Sequence, residues 1–501
     1  MSEFFRKSFV LGVVLLVSSL GIGIGERWVR SASDLSFTHG LLLGANVDPK
    51  ASDSEDKVVQ KETYENLELF NRVLHFVKAN YVDDVKMKTL ILGAIKGMLE
   101  TLDPHSNFLP AELYKDMQID TSGKFGGLGI EIGMRDNILT IMAPIEDTPA
   151  WKAGLKPNDR IVKIDGESTK GMNLMEAVSK MRGKPKTDVT ISIYREGSER
   201  IRDITITRDV IKIESVKNEI LEPQYGYVRL TTFNESASHD MKKAILAMSK
   251  KAPLRGLVLD LRTNPGGLLE QAVEVSSLFI DEGIIVSTIG RDRNEKDVKY
   301  ARKGSAFKDF SLAVLVNSST ASAAEIVAGA LQDHHRAIIL GQPTFGKGSV
   351  QTVIPLPPDM GLKLTIARYY TPSGRSIQEK GVQPDIFLDD FDPRLLAQAK
   401  YKGEYFREQD LKGHMVNTDE PSDSSSRKDF KKEEFEVLSQ ERKKAGKEKN
   451  AKEEEEMIPV RMNPKEDYQV KQALTSLKSY EIFKKNGSSQ SAGKGDSSSK
   501  K

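Results

Sequence analysis

Between Asn317 and Gln351 the chain collects residues that could do acyl chemistry. Ser318, Ser319 and Ser322 stand before an apolar helical pattern, Ile326, Val327, Ala330 and Leu331, and Lys347 follows between Gly346 and Gly348. A serine hydroxyl becomes a nucleophile when a base takes its proton. Ser322 with Glu325 three residues on is also a capping box, which needs no chemistry. The two readings share one geometry. A hydroxyl at a helix start faces unbonded backbone N–H groups and the positive end of the dipole, which would also stabilise an oxyanion. Ser318 and Ser319 lie further from that start.

Four residues could accept the proton. His334 and His335 fall three turns beyond Ser322, roughly 18 Å along a helix axis, and suit the negative end of the dipole. His105, in "LDPHSNF", is distant in sequence, which does not disqualify a catalytic partner. Lys347 could act as a base if burial lowered its pKa, or it could be a solvated loop lysine. A third reading is a phosphate loop, because Gly341 precedes Gly346-Lys347 by the right spacing. That loop needs Ser or Thr where Gly348 stands, and a helix where the strand-like "SVQTVIPLPP" follows.

A second cluster, "FGGLGI" from Phe125, brings three glycines into four residues ahead of an alternating strand. Such glycines allow backbone N–H groups to converge on an anion, and a strand edge beside them could accept a peptide and hold its carboxylate. An ordinary glycine turn is the competing reading.

The elements that must position these residues follow from periodicity. Leu69, Val73, Phe76 and Val77, then Leu90, Ala94 and Met98, predict helix from Thr63 to Leu102, ended by Pro104. Alternating strands around turns fill residues 121–209. Within 210–392, "GLVLDLR", "LAVLVN" and "RAIILG" are apolar runs suited to a covered sheet. The helical "ESASHDMKKAILAMSKK" and "SAAEIVAGALQDH" lie among them. From 393 to 501 the chain becomes charged and small-residue rich, a composition that stays disordered. The exception is a docking helix near 466–483 carrying Val470, Ala473, Leu474 and Leu477 on one stripe.

Composition narrows the class. The 501 residues suffice for about three domains. A net charge of +2 gives no reason to expect nucleic acid. With no cysteine, the chain has no disulfide, thiolate metal site, cysteine nucleophile or lipoprotein anchor. Arg6 and Lys7 precede an apolar run from Ser8 to Gly25 that reads as an export signal anchor in the inner membrane, or as a signal cleaved near "RSASD". Residues 26–60 then form a linker to a helical region at 61–120. In both export readings the bulk of the chain lies outside the cytoplasm, on the periplasmic side of the inner membrane if anchored, and periplasmic or secreted if the signal is cleaved.

Gly126–Ile132 followed by "PAWKAGLKPNDRIVKIDG" resembles a PDZ domain of the bacterial protease type. The resemblance implies a β-sandwich or barrel with helices whose carboxylate loop is Gly126, Gly127, Leu128 and Gly129, and whose ligand is a protein or peptide C-terminus. "LDPHSNFLP", "LVLDLRTNPGG", "LVNSSTASAAEIVAGALQD", "LGQPTFGKGSVQ" and "YYTPSGRSIQEKGVQPD", in that order, resemble the C-terminal processing peptidases, or tail-specific proteases, of serine peptidase family S41. That resemblance implies a multidomain α+β chain with an α/β protease domain of the ClpP/crotonase-like type. It places the nucleophile on Ser322, the general base on Lys347 and a supporting glutamine on Gln351. The oxyanion donors would be the backbone N–H groups of Ala323 and one of Gly266 or Gly267. No metal, nucleotide or other cofactor is implied, and homo-oligomerisation stays open. A non-catalytic PDZ scaffold for envelope protein tails is the rival, against which the complete Ser322–Lys347–Gln351 set argues.

Overall fold

A computed structural model describes residues 49–389, except 199 and 305, together with 406–415, 417 and 463–492. The apolar run at 8–25 and most of the charged tract past 393 lie outside the described residues. The chain divides between Leu90 and Ile91 into two compact units.

In the first unit the helix Pro49–Asn80 starts inside the stretch expected to be linker. Leu69, Val73 and Phe76 share its spacing as expected, yet all are more than half exposed. The helical pattern expected to run on to Leu102 is interrupted at residues 81–86 and resumes as Met87–Glu100.

The second unit contains the alternating strands of 121–209. Ile130–Arg135, Ile138–Pro144, Arg160–Ile164, Asp188–Tyr194 and Arg202–Thr207 form an antiparallel sheet with Ile130–Arg135 at one edge. The helix Leu174–Met181 begins on a capping box, in which Asn173 and Glu176 satisfy each other's backbone N–H groups at 2.9 and 3.0 Å. Leu128, Ile141, Ile161, Ile191 and Ile193 build the core beneath.

The apolar runs of the third region are strands of one sheet, ordered Val216–Glu222, Tyr225–Leu230, Gly256–Asp260, Ser311–Val316, Ala337–Gly341, Ile386–Phe387. Only the first pair is antiparallel. Side-chain alternation divides each strand between two layers. Leu257, Leu259, Leu312 and Val314 face a core shared with the helices Ala237–Lys251, Leu269–Ser277 and Ala323–Asp333. Tyr227, Val258, Ala313 and Leu315 face the other way, where Val470, Ala473, Leu474 and Leu477 of the C-terminal helix Tyr468–Ala492 cover them. A second sheet carries the long hairpin Ser349–Leu356 and Met360–Tyr370.

Candidate active site

In an open α/β sheet the carboxyl ends of the strands are where ligands are held. Two such ends meet here. The loop after Gly256–Asp260 carries Asn264, Gly266 and Gly267, and the loop after Ser311–Val316 carries Thr320 and Ser322. They are laced together, since Ala321 N–H donates to the Asn264 carbonyl at 2.9 Å and Thr320 Oγ1 to the Leu261 carbonyl at 2.9 Å.

Ser322 sits immediately before the helix Ala323–Asp333 with φ 55° and ψ −117°, a conformation an L-residue holds only under constraint. Gly266 provides part of that constraint. A Cβ on Gly266 would lie 2.8 Å from Ser322 Cβ and 2.9 Å from Ala323 N, so no side chain fits there. As the first residue of its helix, Ala323 has an N–H with no partner inside the helix.

Glu325 is fully buried and organises the site. Its Oε2 accepts the backbone N–H of Ser322 at 2.8 Å and that of Lys347 at 2.9 Å. The two backbone nitrogens are therefore no further apart than two hydrogen-bond lengths. Its Oε1 accepts Thr344 Oγ1–H at 2.5 Å and Gly346 N–H at 2.8 Å. Burial pushes the Glu325 carboxyl up to about 7, against these four donors, which favour the ionised form.

Lys347 is drawn down to about 8, first by burial and then by the positive charge of Lys363; Glu408, Glu325 and Asp103 act in the opposite direction. Tyr369, 1% exposed, joins the same residues. Its hydroxyl donates to the Lys347 carbonyl and shares a hydrogen bond with the Ser322 side chain. A phenol has one proton to donate, so towards Ser322 it is the acceptor. Gln351 lies two residues into the hairpin strand, and its amide donates to Ser349 Oγ at 2.9 Å and Thr365 Oγ1 at 3.3 Å. Thr365 in turn donates to buried Asp103 at 3.1 Å.

Of the histidines, His334 ends the helix with Nε2 at 2.7 Å from the Ile284 carbonyl, and His335 follows it. His105 Nε2 lies 2.8 and 2.9 Å from the two oxygens of Glu408. Glu325 and Tyr369 lie inside motifs that carry the family resemblance but had no site role assigned from sequence, Glu325 beyond a helix cap, and Glu408 had no signal at all. Apart from the Glu325 contact with Ser322, three residues away, these contacts join residues 19 or more apart in the chain.

The two candidate oxyanion glycines are not equivalent. Gly266 N–H donates to Asn264 Oδ1 at 2.9 Å, while the Gly266 carbonyl accepts from Phe233 N–H at 2.9 Å. In a trans peptide the next N–H points opposite the carbonyl, which turns Gly267 N–H away from Phe233.

In the glycine loop, Gly126 and Gly127 belong to a strand, Lys124–Gly127, paired with Asp209–Lys212. A Cβ on Gly126 would lie 2.0 Å from the Gly183 carbonyl, so its missing side chain serves close packing. The Leu128 carbonyl accepts Ala150 N–H, and the Gly129 carbonyl accepts Ile145 N–H, both at 2.9 Å. By the same trans-peptide geometry, the N–H groups of Gly129 and Ile130 turn to the opposite side.

Residues 224–388 match peptidase family S41, residues 126–206 a PDZ domain, and residues 32–113 the N-terminal domain of the activating protease CtpB. A carboxy-terminal-processing protease of Bartonella bacilliformis is 45% identical over 395 residues, covering 78% of this chain and 89% of that one. The carboxy-terminal processing protease CtpA of Bacillus subtilis is 39% identical over 337 residues, covering 66% and 72%. Among solved structures, a photosystem II D1 C-terminal processing protease is 33% identical with a TM-score of 0.37, over 64% of this chain and 92% of that one. With its family S41 and PDZ segments and these relatives, the chain belongs to the C-terminal processing peptidases, serine-type peptidases that carry a PDZ domain.

Proposed function

We propose that the chain cleaves proteins near their C-termini with Ser322 as nucleophile and Lys347 as general base, through an acyl-enzyme. The observation that supports this best is Glu325 Oε2, which holds the backbones of Ser322 and Lys347 on one oxygen. Neutral Lys347 takes the Ser322 proton as Oγ bonds to the scissile carbonyl carbon. The lysine returns that proton to the departing amine, and water then releases the acyl group by the same exchange. The Ser322 hydrogen bond to Tyr369 must give way to one with Lys347 Nζ for this step. Ala323 and Gly267 N–H groups are the better placed oxyanion pair, since Gly266 N–H is committed to Asn264. The PDZ domain holds the substrate's tail. The apolar run at 8–25 exports the chain and anchors it on the periplasmic side of the inner membrane, which fractionation of cells expressing the tagged chain would check; recovery in the cytosol would overturn it.

The activity test pairs two variants. Ser322→Ala abolishes turnover of a casein substrate, while the loss of a cap shifts stability by only about 1 kcal/mol. Lys347→Arg is as inactive as Lys347→Ala, because arginine stays protonated at working pH. In the parent the rate climbs with pH through about 8, where Lys347 loses its proton, and falls below that as the ammonium forms. Substantial turnover by Lys347→Arg, or a flat profile, would sink the base assignment.

A further inference from the structure

The stretch Phe406–Met415 falls in the tract whose composition predicts a solvated tail, and beyond residues 224–388 that match the peptidase family. It instead packs as a short 3-10 turn, Glu408–Asp410, on the loop that carries Lys347. Glu408 N–H donates to the Phe345 carbonyl at 3.2 Å. Arg407 Nη2 reaches the carbonyls of Lys380, Thr344 and Glu379 at 2.6, 3.1 and 3.3 Å. Gln378 ties the two segments from below, accepting Gly348 N–H at 2.9 Å and donating to the Met415 carbonyl at 2.9 Å. A passing tail segment needs none of this.

Glu408 is 0% exposed. Burying a carboxylate costs several kcal/mol unless charge and hydrogen bonds answer it. His105 meets both oxygens, and Gln378 Nε2 donates to Oε1 at 3.3 Å. Among the described residues, the titratable and charged groups here are Asp103 and His105 from the loop after Met87–Glu100, Glu325 from the Ser322 helix, Lys347, Lys363 and Tyr369, and on the clamp side Arg407, Glu408 and His414, whose Nε2 meets Glu379 at 2.7 Å. Lys363 opposes a proton on Lys347, and Glu408 favours one. A group that takes a proton and later returns it works best with a pKa near the working pH, and these two charges act on Lys347 in opposite directions.

We propose that Phe406–Met415 is a built-in clamp of the candidate active site, in which Arg407 fixes the Lys347 loop and Glu408, oriented by His105, is a positioning residue whose charge acts on Lys347. This rests on Lys347 as the base.

The test labels Ser322 in the full chain with a fluorophosphonate probe and records the rate against pH, so no substrate need be known. Glu408→Gln keeps shape and removes charge. Without the carboxylate Lys347 gives up its proton more readily, so the rising limb moves to lower pH. At about pH 6 the labelling rate, relative to each protein's own plateau, rises about three-fold or more, since tenfold corresponds to one pKa unit. Arg407→Ala loosens the loop and lowers the plateau at every pH. A Glu408→Gln limb that coincides with the parent's, or an Arg407→Ala variant that labels like the parent, overturns the clamp. A flat parent profile would instead overturn the base reading beneath it.

Discussion

At the scale of single residues, Glu325 gathers four donors of the candidate site on one carboxylate. Two donors share each of its oxygens, so a neutral amide cannot replace the carboxylate: whichever oxygen becomes NH₂, two donors lose their acceptor. An unmet buried donor costs about 1–3 kcal/mol. Glu325→Gln is therefore expected to destabilise the protease region by about 2–6 kcal/mol and to cut turnover more than a hundred-fold. Turnover and thermal melting of the same preparation check this. Wild-type turnover in the glutamine variant would mean that Ser322 and Lys347 find their places without it. The capping box made half of this residue legible, because Ser322 and Glu325 are neighbours on a helix. The other half, towards Thr344, Gly346 and Lys347, was not, because a carboxylate's long-range partners leave no periodic mark. Nor did the strained φ of Ser322 leave one; serine at a helix start reads as an ordinary cap until Gly266 is seen pressed against it.

At the scale of elements, the strand Ile130–Arg135 is where the proposed capture of a substrate tail can be tested. It ends its sheet, so one row of its backbone groups is open to an added strand. The N–H groups of Gly129 and Ile130 open the same strand, turned away from the carbonyls that Ala150 and Ile145 hold. A peptide joining this edge would bring its terminal carboxylate to those donors. Paired peptides ending in a free acid or an amide, titrated against the full chain carrying Ser322→Ala, should therefore differ. The acid is expected to bind about 10- to 150-fold tighter, the worth of one charge-assisted hydrogen bond. Equal affinities would show that the domain reads internal sequence. Alternation and turn residues announced these strands. Whether each glycine serves a nest or a tight fit was not readable from composition. Gly126 serves the fit against Gly183, while Gly129, at φ 78°, shapes the loop.

At the scale of the whole molecule, the C-terminal helix is a layer of the fold. One face of the central sheet would be bare without it, because Tyr227, Val258, Ala313 and Leu315 point that way. The helix is also pinned close in sequence to the candidate site. Arg262 joins Asp467 at 3.1 Å and Gln469 at 2.8 Å to the end of the strand Gly256–Asp260, four residues before Gly266. The stripe of Val470, Ala473, Leu474 and Leu477 could be read from sequence, because helical spacing is local. Its target could not, since the apolar strands that it covers are apolar on both faces alike. Leu477 is 2% exposed, so Leu477→Ala leaves a cavity between helix and sheet. The expected cost is about 2–5 kcal/mol, or roughly 5–15 °C in the melting temperature of a region this size. Because Asp467 holds Arg262, loosening the helix should also slow fluorophosphonate labelling of Ser322 at temperatures below the transition. Calorimetry and labelling on one sample separate the two effects. A melting temperature unchanged by Leu477→Ala would mean that the helix merely rests on the sheet, and unchanged labelling in a destabilised variant would confine its role to stability.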